Sequence, residues 1–106
     1  MVLDTSEKYD LANLIEYQDN SVVSIELMKK QTGTVTLFAF DKGEGLSEHT
    51  APFDAMIQVL DGTLELTLGG QLYTINEGEM IIMPRDVPHA LLAQTKLKML
   101  LTMIKS

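Results

Sequence analysis

The stretch Thr63–Ile75, TLELTLGGQLYTI, decides the fold class. Leu64, Leu66 and Leu68 alternate with Glu65 and Thr67, the period of a strand with one buried face. Gly69-Gly70 separates this run from a second one, QLYTI, and glycine takes the positive φ angles that a two-residue hairpin turn demands. The spacing predicts a β-hairpin.

The same grammar extends in both directions. Upstream, AMIQVL reads as a strand stopped by Asp61-Gly62, and downstream EMIIM, HALLAQ and LKMLLTMI are further apolar runs of strand length. Earlier in the chain, SVVSIELMKK places Val23, Ile25 and Leu27 on one face, with Ser24 and Glu26 on the other. In TGTVTLFAFD the residues Val35, Leu37 and Ala39 oppose Thr34, Thr36, Phe38 and Phe40. Both faces are apolar at its far end, as expected of a strand covered on two sides. Eight strands result, with turn signals at roughly the 8–12-residue spacing of all-β sandwiches and barrels. DTSEKYDLANLI reads differently: Asp4 and Glu7 form a capping-box pattern ahead of Leu11, Leu14 and Ile15, which predicts one short helix. The expected organisation is an N-terminal segment, 1–20, carrying that helix, then a single all-β barrel domain, 21–106.

Composition narrows the function classes. At 106 residues and 45% hydrophobic content the chain fits one domain near the lower limit for a self-sufficient core. It has no cysteine, so disulfide frameworks and thiolate metal clusters are excluded. The formal charge is -7, Arg85 is the only arginine, and Lys29-Lys30 is the only adjacent basic pair. Nucleic acid binding needs clustered cations to neutralise phosphates, so it is not expected. The acidic balance reads as solubility charge. No apolar run is long enough to cross a bilayer, and the opening MVLDTSEKYD is polar and acidic, so no membrane partner and a cytoplasmic location are expected.

The two histidines define a second pattern. Gly43 is followed by five residues and His49, and Gly62 closes that segment; Gly78, Pro84 and His89 stand at matching intervals in a second one. This arrangement resembles the cupins, over roughly residues 33–104. Their first motif runs Gly, five residues, His-x-His, three or four residues, Glu, six residues, Gly. Their second runs Gly, five residues, Pro-x-Gly, two residues, His, three residues, Asn. The resemblance implies a double-stranded β-helix, or jelly roll, in which both motif histidines, a further histidine and a glutamate hold a metal. Here Ala51 stands for the second histidine, Ala55 for the glutamate, Asp86 for the glycine and Ala93 for the asparagine.

Two imidazoles alone leave most coordination positions to water or substrate, because catalytic metals usually have three protein ligands. Strand parity points Glu48 and Gln58 away from the interior, while Asp54 and Asp86 fall in turns. A site built on His49 and His89 would therefore hold zinc, iron, manganese or nickel weakly. Alanine at the missing positions leaves space lined by Ala51, Ala55, Ile57, Leu91 and Ala93, and two imidazoles among aliphatics suit a small-molecule pocket. The seven methionines read as core or pocket filling, and the glycine-rich GEGL as a turn.

Three functions follow. The first is a barrel that binds a small organic molecule through His49 and His89. The second is a metal-dependent oxygenase or isomerase with a two-His, water-completed site. The third is a sensing or accessory subunit acting through a partner. SVVSIELM and LKMLLTMI are apolar at more positions than one buried face needs, which predicts a homodimer built on these strands.

Overall fold

The computed structural model describes residues 2–106. Its strands are β1 (Val22–Lys30), β2 (Gly33–Phe40), β3 (Gly45–His49), β4 (Asp54–Asp61), β5 (Thr63–Leu68), β6 (Gln71–Asn76), β7 (Met80–Met83), β8 (His89–Ala93) and β9 (Leu97–Ile104). They form two antiparallel sheets in the orders β1-β2-β9-β4-β7 and β3-β8-β5-β6. The sheets pack as the double-stranded β-helix expected from the motif. No helix among the described residues is long and apolar enough to cross a membrane.

The β5–β6 hairpin is as read. Leu68 pairs with Gln71, and Gly69 and Gly70 both hold positive φ, 58° and 81°. Leu64 and Leu66 are fully buried between the sheets, against Ala93 and Leu91 of β8 in register. From the opposing sheet, Ile57, Val59, Leu97 and Met99 join the same cluster. Removing a leucine or isoleucine side chain of this kind from water contributes about 1.5–3 kcal/mol. β2 is indeed covered twice: Phe40 and Phe38 belong to the interior cluster, while Leu37 and Ala39 belong to a second cluster on the sheet's outer face.

That outer cluster explains the one clear departure in the N-terminal segment. The helix expected over DTSEKYDLANLI is reduced to a single 3-10 turn, Leu11–Leu14, and Asp4 caps nothing. Ser6 sits at φ 61°, which a helix cannot accommodate. An isolated helix this short is marginal in water, so docking decides the conformation. The segment runs as a strap whose Leu3, Leu11, Leu14, Ile15 and Tyr17 pack against Val23, Ile25, Leu27, Leu37 and Ala39. The Leu3 N–H donates to the Leu27 carbonyl at 3.0 Å, beside a bulge in β1 between Glu26 and Met28. Lys98 Nζ donates to the Ala12 carbonyl, and the Tyr17 hydroxyl donates to Asp61. Burial, followed by that bond, pushes the Tyr17 phenol well above its ordinary value.

β3 is a ninth strand that the sequence reading left as a turn. It pairs with β8 at the edge of the four-stranded sheet and carries His49 at its end.

Candidate functional site

The edge strand β3 and its neighbour β8 bring the histidines together. β3 and β8 pair antiparallel, and His49 and His89 are direct register partners. Their ring centroids are 4.2 Å apart with the planes at 64°. His89 shares the inward face of β8 with Leu91 and Ala93 and is itself buried, whereas His49 is exposed. The pair therefore has one ring at the edge of the core and one open to solvent.

Each ring is fixed in the same way. His49 Nδ1 lies 2.7 Å from the Ser47 carbonyl, and His89 Nδ1 lies 3.1 Å from the Val87 carbonyl, in both cases two residues back. A carbonyl oxygen only accepts, so Nδ1 carries the proton on both rings and Nε2 of the neutral imidazole keeps its lone pair. The loop leading to His89 is held at several points. Asp86 N–H donates to the Ala51 carbonyl, Arg85 N–H to the Asp54 carboxylate, and Gly69 N–H to the Pro88 carbonyl, at 2.8, 2.9 and 2.8 Å.

The remaining candidate residues divide. Ala51 is half-buried in the loop between β3 and β4. Ala55, Ile57, Leu91 and Ala93 lie in the interior cluster, together with Met83 and Met99. The acidic residues do not converge on the imidazoles. Glu48 is exposed, Asp54 accepts from the Arg85 backbone, and Asp86 pairs with the Arg85 side chain at 3.6 Å. Among the described residues no group of three or more His, Cys, Asp or Glu side chains could hold a metal ion.

One feature was not anticipated. A cavity of about 350 Å³ lies outside the barrel, between the strap and the β1–β2 face, lined by Leu3, Tyr9, Leu11, Leu14, Leu27 and Val35 among others. Its walls come from residues far apart in the chain, and no local pattern announces it.

The model of the cupin domain matches residues 36–105. The chain belongs to the cupin family. Solved structures agree with this over nearly its whole length. A conserved protein of unknown function from Streptococcus pyogenes is 33% identical, with 98% of this chain and 91% of that one covered and a TM-score of 0.92. A cupin 2 conserved barrel domain protein from Leptotrichia buccalis is 39% identical over 92% of this chain and 47% of that one, with a TM-score of 0.88. A cupin superfamily protein from Desulfitobacterium hafniense is 27% identical over 98% and 95%, with a TM-score of 0.91. No curated protein matches the sequence.

The metal centre that cupins imply does not fit this donor set. Two neutral imidazoles supply no negative charge and only two of the ligands that a zinc or iron site needs.

Proposed function

We propose that this cupin binds a small organic molecule at the end of its barrel, with His49 and His89 as the polar anchors. One observation carries the reading: the rings are cross-strand neighbours at 4.2 Å, and each commits Nδ1 to a backbone carbonyl, so Nε2 is the nitrogen left to meet a ligand. As neutral rings the pair offers two acceptors, which suit a hydroxyl, a phenol or a protonated acid. Ala51, Ala55, Ile57, Leu91 and Ala93 supply the apolar lining in this reading, in keeping with the usual make-up of small-ligand sites. The same reading has the protein act as a homodimer, each copy carrying its own histidine pair.

Thermal-shift and NMR screens against small acids, phenols and sugars test the idea. Compounds that bind the wild type should lose their effect in His49→Ala. Equal responses from both proteins across all three classes would remove the reading.

A two-imidazole site for zinc, iron, manganese or nickel is the alternative, and the tethered Nδ1 atoms favour it, because metal-bound histidines commonly donate their other ring N–H to a carbonyl. The shortage of ligands argues for weak affinity. Elemental analysis after reconstitution discriminates: stoichiometric metal that is lost in His49→Ala would support this alternative.

A further inference from the structure

We propose that the mouth of the barrel carries an anion subsite, Lys105 held over Phe53, and that the ligand of the histidine pair is a small hydroxylated carboxylic acid. The inference rests on the small-molecule reading above and names the class of molecule. Strand register locates the subsite. His49, His89 and Leu68 form the end row on the inner face of one sheet. Met103, Ala55 and Met83 form the end row on the inner face of the other, where all three take part in the interior packing.

Ile104 pairs with Asp54, so one step further out Lys105 stands opposite Phe53. Alternation gives these two the inward direction of Met103 and Ala55. Their side chains meet: Lys105 Nζ lies 5.5 Å from the centroid of the Phe53 ring, within cation–π range. Both residues are half-buried, and the Lys105 N–H donates to the Thr32 carbonyl at 2.7 Å, which pins its backbone at the rim. Only Thr50, Ala51 and Pro52 separate His49 from Phe53 in the chain, so their Cα atoms are at most about 14 Å apart. One small molecule can reach both.

The two ends of this mouth ask for different groups. Neutral imidazoles with Nδ1 committed present Nε2 lone pairs, which accept from a hydroxyl and repel a carboxylate. Lys105 offers the reverse, three donors and a full positive charge. Among the described residues the one ion pair is Arg85 with Asp86, so no protein carboxylate neutralises this ammonium. One ammonium balances one carboxylate, whereas a phosphate dianion would be left half neutralised. Between the polar ends, Met103, Ala55, Met83 and Leu68 present apolar surface to the body of the ligand.

The test is titration calorimetry of the intact chain with matched probes. Phenols whose carboxylate sits directly on the ring, or one or two methylenes away, are each compared with the corresponding neutral amide. The wild type should bind at least one acid about fivefold more tightly than its amide. Lys105→Met should abolish that preference without changing amide affinity, and Lys105→Arg should keep it. Lys42→Met, which removes the same charge at the opposite end of the barrel, should also keep it. Circular dichroism checks that each variant is folded. Acid and amide binding equally, or a preference that survives Lys105→Met or disappears in Lys42→Met, overturns the anion subsite and leaves the histidine-anchored reading standing. Absence of binding by every acid and amide also overturns it, while hits among the sugars would still support that reading. Probe binding that is unaffected by His49→Ala overturns both.

Discussion

His49 and His89 face each other across the β3–β8 ladder, and their rings meet edge to face at 4.2 Å. Because one ring is exposed and the other buried, the two positions should respond differently to truncation. His49→Ala removes a solvent-facing side chain and should change unfolding free energy by no more than about 0.5 kcal/mol. His89→Ala leaves a small void beside Leu91 and should cost more. Equilibrium urea unfolding of both variants, run beside the ligand screens, separates loss of binding from loss of fold.

Gly62 closes the first motif segment for a steric reason. Its φ is 83°, and a Cβ there would lie 2.0 Å from the Lys96 carbonyl oxygen and 2.6 Å from Thr95 Oγ1. The nearest obstacle is backbone and cannot step aside. Gly62→Ala should lower stability by at least about 2 kcal/mol, read as a reduced urea midpoint with an unchanged slope.

Asp86 occupies the place of a cupin glycine while holding a left-handed backbone, φ 64°. Aspartate tolerates this conformation better than most residues, but not as freely as glycine. Its ion pair with Arg85 is fully on the surface and contributes little. Asp86→Gly should therefore stabilise the protein by about 0.5–1 kcal/mol, offset in part by the extra freedom of the unfolded chain. Thermal unfolding should show a raised midpoint.

Two side chains give the stability a pH signature. The Tyr17 phenol is raised by burial and by its bond to Asp61. The folded state thus holds that proton more tightly than the unfolded state does. The contribution is complete below the ordinary phenol value of 10.0 and is lost as pH rises beyond it. Tyr17→Phe should flatten the alkaline limb of the stability curve. Asp41 has the opposite sign. Bonds from the Asn20 and Lys42 N–H groups hold its carboxyl below the usual carboxylate value, so its contribution disappears as pH falls through the acid range. Asp41→Asn should weaken the acid dependence in the same titration.

Much of the fold was legible because alternation is a one-dimensional signal. The double-sided apolar end of β2, Leu37 to Phe40, separates into two clusters as its sequence implied. β3 was missed because GLSEH contains one apolar side chain and lies at a sheet edge, where burial imposes no pattern. The N-terminal helix was misread because a capping pattern is local, whereas the strap's conformation is set by contacts with β1 and β2. At the candidate site, motif spacing picked out His49 and His89. Their fixed tautomers depend on the carbonyls of Ser47 and Val87, which any residue type would supply, so composition carries no trace of them.

The anchored loop before His89 bears on how a ligand would be received. With Arg85, Asp86 and Pro88 tied to Asp54, Ala51 and Gly69, and its own Nδ1 tied to Val87, the His89 imidazole is held in one orientation by the protein alone. A guest then forfeits little entropy in ordering its host, so affinity should track the quality of its own contacts, and association should proceed without a slow gating step.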